Sequence, residues 1–401
     1  MNITIISNNY YPEDSGIGLY SSNMADFLAV DNNVTVVTGF PYYPQWEIHE
    51  KYKNRGTYYK ETVNNVEILR FKQYTPSVQN FSRRILQMIH FFFGSIINIF
   101  KIKKNDVVIV VVPFTISILL GLLLKLIRGG KLTVHIQDFE FDAAFETGIS
   151  AKGGLLSKII FKTERFLLNR ADFVSTISNC MMNKLTTNTK ANTYYFPNWI
   201  DYKKIDPTIA KTTVFFDNNK YNILYSGNIG AKQDWDFFLD FAHEMKGISK
   251  VQITLIGAGA KSGEVIEKVK DLENVSYFPP VKYEDLNDVL CGANLHILFQ
   301  KTTVIDTVMP SKILGMMASE IPSIVTGHEN SEVKHNFAIS NGGFYFYEED
   351  KMFKIKNQII SLIEDDQLSK SIGKNARKFV IQNFSIEKIL ADYQDKLSSL
   401  K

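Results

Sequence analysis

Asp306-Thr307-Val308-Met309-Pro310-Ser311-Lys312-Ile313-Leu314-Gly315-Met316-Met317-Ala318-Ser319-Glu320-Ile321-Pro322 stands between two apolar runs. Leu295-His296-Ile297-Leu298-Phe299 precedes it and Pro322-Ser323-Ile324-Val325 follows. Both runs read as buried strands. The segment between them predicts a loop and then a short helix opening near Pro310-Ser311. Pro310 suits a first helical turn, where its missing N–H is no loss, and Ser311 suits a cap. A strand–loop–helix–strand unit leaves free N–H groups of the loop and helix start at the carboxyl edge of a parallel sheet. At that edge, α/β folds bind phosphorylated ligands.

The same alternation extends outward in both directions. Strands are expected at Ile3–Ser7, Val34–Thr38, Val66–Phe71, Val107–Val112, Leu132–Ile136 and Phe173–Ile177, with helices at Gly18–Val30 and Lys152–Asn169. Tyr194 to Asp201 predicts a short strand leading to a turn, and the polar stretch Tyr202 to Asn219, with Pro207 inside it, predicts a linker. Strands then resume at Tyr221–Tyr225, Val251–Ile256, Val275–Phe278, Leu295–Phe299, Ser323–Val325 and Gly343–Phe346, and a helix closes the chain over Ile386 to Leu397. Two runs of strands separated by helical segments imply two parallel sheets, each covered on both faces. An α/β protein of two Rossmann-like domains facing a cleft is expected.

The 401 residues suffice for two such cores. A net charge of +3 gives no reason to expect nucleic acid as a partner. Cys180 and Cys291 are the only two cysteines, too few for a metal site or a disulfide framework, so a reducing compartment is expected. The chain opens as a strand without a basic leader, from which no secretory signal is expected. The apolar stretch Ile116 to Ile127 is interrupted by Lys125 and falls short of the roughly 20 apolar residues of a membrane span. It predicts a core helix.

Several motifs could carry chemistry. Tyr10 to Gly18 joins the first strand to the first helix, and Gly16 and Gly18 either allow close approach to a ligand or serve an ordinary βα turn. The absence of Gly-Lys-Ser/Thr excludes a triphosphatase loop. Leu255-Ile256-Gly257-Ala258-Gly259-Ala260 is half of a dinucleotide fingerprint and weak by itself. Ser226-Gly227-Asn228-Ile229-Gly230-Ala231-Lys232 pairs a glycine-rich turn with a lysine at the expected start of a helix, which suits a diphosphate. His135-Ile136-Gln137-Asp138-Phe139-Glu140-Phe141-Asp142 ends a strand with a histidine and three carboxylates, either an acid/base or sugar-binding cluster or an acidic cap. Asp234-Trp235-Asp236 imitates a metal-binding Asp-x-Asp, but aspartates favour helix starts for dipole reasons, and no metal is expected.

Asn80 to Lys104 reads as a very apolar helix flanked by Arg83, Arg84, Lys101, Lys103 and Lys104. Core packing or a membrane surface would each account for it.

Together these motifs resemble the family-4 retaining glycosyltransferases of the GT-B fold over nearly the whole chain. The resemblance rests on the Gly16/Gly18 loop, Pro197-Asn198, Gly227 to Lys232, Gly257-Ala258-Gly259, and Pro310-Ser311-Lys312 followed by Ala318 and Pro322. His135 to Asp142, Ser226 to Gly230 and Val308 to Lys312 are similar to colanic-acid and O-antigen fucosyl- or fucosaminyltransferases. The resemblance implies an acceptor domain over residues 1–201, with 382–401 crossing back onto it, and a donor domain over 202–381. It implies Lys232 on the donor diphosphate and main-chain groups around Val281 at the base. Phosphate and sugar would lie at Val308, Met309, Pro310 and Ser311, close to Gly227, Asn228 and Gly257. Three departures stand out. Asn228 occupies the place of a common arginine. Thr307 and Gly315 replace the family's paired glutamates, leaving Lys312 as a second phosphate ligand. The family histidine aligns with Gln137, with His135 and Asp138 beside it.

The expected activity is metal-independent, retaining transfer from a nucleotide-diphosphate sugar, UDP favoured over GDP, without a further cofactor. The sugar is expected to be of fucose or N-acetylfucosamine type, and the acceptor a lipid-linked or other glycan. Lys232, Lys312, Asp138, Gln137 and His135 are the catalytic candidates. The protein is expected in the cytoplasm, peripheral at the inner face of the plasma membrane through 80–104. Alternatives are a non-transferring GT-B enzyme, such as a nucleotide-sugar epimerase, and a catalytically impaired nucleotide-sugar-binding subunit.

Overall fold

A computed structural model describes residues 1–14, 16–77, 81–139, 155–303 and 311–400. The chain divides into two compact units, Met1–Asn198 with Leu390–Lys401, and Trp199–Ile389.

The first unit holds an eight-stranded sheet built from β1 (Asn2–Ile6), β2 (Asn33–Gly39), β3 (Tyr58–Val63), β4 (Val66–Phe71), β5 (Val107–Val112), β6 (Lys131–Ile136), β7 (Phe173–Thr176) and β8 (Asn192–Tyr195), in the order β3-β4-β2-β1-β5-β6-β7-β8. Every residue of the central strand β5 is buried, as a strand covered on both faces requires. Each such valine contributes about 1.5–3 kcal/mol relative to exposure. Only β3 runs antiparallel, paired with β4. The sequence pattern predicts no strand there. Its half-exposed Tyr-Tyr-Lys-Glu-Thr-Val carries little apolar signal. The informative cue was Asn64-Asn65, both in the left-handed region at φ 50° and 65°, the geometry of a two-residue hairpin.

Helices Phe81–Lys101 and Ser117–Arg128 pack on this sheet, the first against β2 and β4 and the second against β5 and β6. The expected core helix at 116–127 is therefore found. The helix Phe81–Lys101 buries a mixed face and exposes an apolar one. Gln87, Ser95 and Asn98 are buried with Met88, Phe91 and Ile99, while Leu86, Ile89, Phe93, Ile97 and Phe100 are exposed. Those five recur every three or four residues and form one outward stripe. Among the described residues, no helix is long and apolar enough to cross a membrane.

The second unit holds a six-stranded, wholly parallel sheet of β9 (Tyr221–Ser226), β10 (Val251–Ile256), β11 (Val275–Phe278), β12 (Leu295–Phe299), β13 (Ser323–Thr326) and β14 (Phe344–Phe346), in the order β11-β10-β9-β12-β13-β14. The expected linker is packed onto this unit. Ile205 is buried, the Asp206 N–H donates to Asn287 Oδ1 (2.7 Å), and the Lys211 N–H donates to Asp288 Oδ1 (2.9 Å). The last helix, Ile386–Ser398, brings Tyr393 onto Phe196 of the first unit, ring centroids 3.8 Å apart and nearly parallel.

Candidate active site

In the second sheet the chain moves outward from β9 through β10 to β11, then jumps back to β12 and proceeds the other way. The crevice beyond the carboxyl ends of β9 and β12 is therefore a topological switch point, where open α/β sheets bind ligands. Two groups meet there. One is the turn after β9. The other is Lys312, on the helix Ser311–Ala318 that follows the β12 loop.

The Lys312 amine donates to the Tyr225 hydroxyl (3.1 Å) and lies 4.6 Å from the centre of that ring. The Tyr225 hydroxyl spends its own proton on the Asn228 carbonyl (2.7 Å), so it can only accept from the lysine. No carboxylate pairs with Lys312 among the described residues. Burial brings its pKa down to about 8 from the ordinary lysine value. A buried amine with donors to spare and no counter-charge is a site that an anion would complete. Gly227 has φ +128°, and a Cβ there would lie 3.2 Å from the Lys312 amine. Glycine is thus favoured by the backbone, and a side chain there would crowd the lysine. A Cβ on Gly257 would stand 1.9 Å from the Gly227 carbonyl oxygen, so Gly257 keeps the two loops in contact. It serves packing between strand ends.

Lys232 lies in the turn before a helix, not at its start. Asp234 caps that helix, accepting from the Phe237 N–H (3.2 Å), and the helix runs Trp235–Met245. The turn is tied to the end of β12 by Lys301 N–H to the Lys232 carbonyl (3.1 Å) and Asp234 N–H to the Phe299 carbonyl (2.9 Å). Lys232 is exposed and makes no ion pair among the described residues. Asp236 is exposed beside Lys268 (3.6 Å). No group of three or more His, Cys, Asp or Glu residues that could hold a metal occurs among the described residues. Asn228 is exposed on the β9 turn, and Val281 is partly buried against the core. Val308, Met309 and Pro310 lie outside the described residues, as do Thr307, Glu140 and Asp142. Ser311 opens its helix.

In the first unit, His135 is fully buried. Its Nδ1 pairs with Ser175 Oγ (3.0 Å) and its Nε2 with Gln137 Nε2 (2.9 Å). Gln137 Nε2 is a donor, so His135 Nε2 must accept and Nδ1 carries the proton. Burial drives the His135 pKa down to about 3. The ring is neutral and both nitrogens are engaged, an arrangement that positions Gln137 rather than exchanging protons. Asp138 is half-buried and raises the pKa of Lys184 against a larger lowering by burial. Gly16 has φ +54° and open space around it. Gly18 leaves room for Glu13, whose Cβ would lie 2.6 Å from an added Cβ. Glu13 is buried, accepts from the Tyr42 and Tyr43 N–H groups (2.9 and 3.0 Å), and has its pKa raised by burial.

Tyr225 was not anticipated as part of the site. It is 87 residues from Lys312, and nothing local in the sequence pairs them.

Residues 220–365 match the family model described as glycosyl transferases group 1. WcaI of Escherichia coli (strain K12), named for glycosyl transfer in colanic acid biosynthesis, is 31% identical over 349 residues, covering 83% of this chain and 85% of that protein. The chain belongs to the group 1 glycosyltransferases. Sucrose-phosphate synthase from Thermosynechococcus elongatus superimposes with a TM-score of 0.75 at 14% identity, covering 100% of this chain and 98% of that one. Anabaena HepE, solved in complex with UDP, does so with a TM-score of 0.71 at 14% identity, covering 100% of both chains. The fold of this glycosyltransferase is GT-B, with two Rossmann-like domains.

Proposed function

We propose that this glycosyltransferase moves a sugar, with retention at the anomeric carbon, from a nucleoside-diphosphate sugar on the second unit to a lipid-linked or glycan acceptor on the first. The pathway is surface polysaccharide biosynthesis. The observation that carries the reading is Lys312, a buried amine at the switch point beside Gly227 that has no counter-ion among the described residues. In the transfer, the bond from the anomeric carbon to the diphosphate oxygen breaks. A bond to the acceptor hydroxyl oxygen forms on the same face, and the acceptor proton passes to the leaving phosphate. Negative charge grows on that phosphate, and Lys312, aided by Lys232, stabilises it as an oxyanion site does. Two side-chain cations are available for work otherwise given to a divalent metal, so the reaction is read as metal-independent. Gln137 and Asp138, at the end of β6, are read as the first unit's catalytic contribution, with His135 holding Gln137. The crystal complex of HepE with UDP favours UDP as the carrier. The name of WcaI favours a bacterial surface polysaccharide, and the likeness of Ser226 to Gly230 to the fucosyl- and fucosaminyltransferases favours a sugar of fucose or N-acetylfucosamine type. The outward apolar stripe Leu86, Ile89, Phe93, Ile97 and Phe100 favours a peripheral position at the inner face of the plasma membrane.

The test is turnover by the purified protein of UDP- and GDP-linked fucose and N-acetylfucosamine, with and without a lipid-linked glycan. The anomeric configuration of the product is read by NMR. Retained configuration, chelator-insensitive, is expected. Inversion, or epimerised donor with no acceptor needed, would sink the reading.

A further inference from the structure

The second sheet ends at β14, whose residues Phe344, Tyr345 and Phe346 are all partly buried. Along them runs a cavity of about 500 Å³. Phe337, from the helix Glu332–Ser340, and Ile372, from the helix Asp366–Phe384, are buried and line it together with that strand. Successive strand residues point to opposite faces, so a cavity reached by all of β14 lies on the edge of the sheet. It stands beyond β13 from β12 and shares no lining residue with the switch-point crevice.

A cation joins this apolar lining. The Lys334 amine lies 3.9 Å from the centre of the Tyr347 ring. It makes no ion pair among the described residues, and neither Asp nor Glu is among the residues that line the cavity. Lys334 precedes Phe337 by one helical turn and so shares its side of the helix. An apolar cavity of this size with one charged group has the make-up of a small-molecule site. An anion on an apolar body suits both parts, the head on the amine and the body against the rings. Tyr345 also connects the cavity to the candidate active site. Its hydroxyl donates to the His328 carbonyl (2.9 Å). The same hydroxyl would lie 2.5 Å from a Cβ on Gly327, which directly follows β13. Thr326, the last residue of β13, accepts from the Gln300 N–H (3.0 Å), and Lys301 donates to the Lys232 carbonyl (3.1 Å). Bonds and contacts therefore run unbroken from the cavity wall to the Lys232 turn.

We propose that this cavity is a regulatory site for an apolar carboxylate, and that Tyr345 carries its occupancy to the nucleotide-binding turn. The carboxylate sits on Lys334 and the body lies against Phe337, Phe344 and Ile372. A filled cavity fixes the Tyr345 ring, and with it the hydroxyl on the His328 carbonyl. The loop after β13 is then already ordered when the nucleotide arrives, so the nucleotide binds more tightly. The relay to the turn rests on the transferase reading, whereas the binding of the carboxylate does not.

The test uses the full chain with its isoleucine δ1 methyl groups labelled for NMR. The Ile372 signal is assigned from its loss in Ile372→Val and followed while 2-naphthoate, 2-naphthol or acetate is added. Saturable movement with 2-naphthoate is expected, about fivefold weaker in Lys334→Gln, the loss of one charged contact. It should be absent in Ala338→Trp, which fills the cavity. 2-Naphthol, which lacks the charge, should bind about fivefold more weakly than 2-naphthoate and equally to wild type and Lys334→Gln. Saturating 2-naphthoate should tighten UDP binding about fivefold in the wild type and leave it unchanged in Tyr345→Phe. A methyl spectrum otherwise like that of the wild type shows each variant to be folded. An Ile372 signal that stays still at millimolar 2-naphthoate overturns the site, as do undiminished binding by Lys334→Gln and equal affinity for acetate. A UDP affinity that ignores 2-naphthoate, or responds equally in Tyr345→Phe, overturns the relay. Failure of UDP to bind the wild type strikes the transferase reading and the relay with it, while the Ile372 titration still decides the site.

Discussion

The two sheets reverse at corresponding places, β1/β5 and β9/β12, but different groups stand at the two reversals. In the second unit the crevice holds Lys312, buried, with a pKa brought down to about 8 and with glycine backbone against it. In the first unit it holds Arg84, half-exposed between Trp46 and Phe114, both of which have left-handed backbone. A compact amine without a counter-ion suits charge that builds up during reaction. A rigid fork with ring surface beside it suits recognition of a shaped ligand. On the proposed reading, the same topology offers a compact buried amine at one reversal and a ring-flanked guanidinium at the other.

The largest effect that would break this contrast is at Lys312. Lys312→Ala is expected to lower kcat by about 10²-fold, the scale of losing one donor to a developing oxyanion, while leaving acceptor KM unchanged. Steady-state kinetics with a saturating donor decides it. A loss confined to acceptor KM would show that the two crevices had been assigned the wrong way round.

The second prediction concerns pH. Burial lowers the Lys312 pKa in the folded protein, and a bound diphosphate favours the protonated amine. Donor affinity should therefore hold below about 8 and fall about tenfold per pH unit above it. Stability of the unliganded protein runs the opposite way. The unfolded chain keeps that proton to the ordinary lysine value, so this group adds stability as pH rises from about 8 toward it. Calorimetric titration of wild type against Lys312→Ala isolates the term. Identical pH profiles for the two would remove Lys312 from the donor site.

The smallest expected effect separates the outer surfaces of the units. The first unit carries the helical stripe from Leu86 to Phe100, whereas the exposed apolar residues of the second, among them Ile209, Val214, Ile339 and Phe353, follow no such spacing. Phe93→Ser with Ile97→Ser should reduce sedimentation with anionic liposomes several-fold. Changing Lys103 alone to Gln should reduce it about fivefold, the roughly 1 kcal/mol of one charge, at low salt. A wild type that stays in the supernatant at low salt leaves the membrane out of the reading.

The sequence by itself determined the alternation of strands and helices, because burial on both faces of a parallel sheet writes continuous Val, Ile and Leu runs. β4, β5, β10, β11 and β12 fall on the residues expected. It also determined the glycine positions after β9 and β10, since close backbone approach admits no other residue. Half-exposed β3 left no comparable trace, and the polarity of the helix at 81–101 was ambiguous, because a helix apolar on most sides does not say which side is inside. Tertiary structure alone decided that Lys312 sits on Tyr225, that His135 is sealed and neutral, and that Arg84 lies between Trp46 and Phe114. Each depends on residues brought together by strand order. A site assembled from the carboxyl ends of strands distant along the chain has no local period, so sequence can name its members one at a time but cannot show which of them meet.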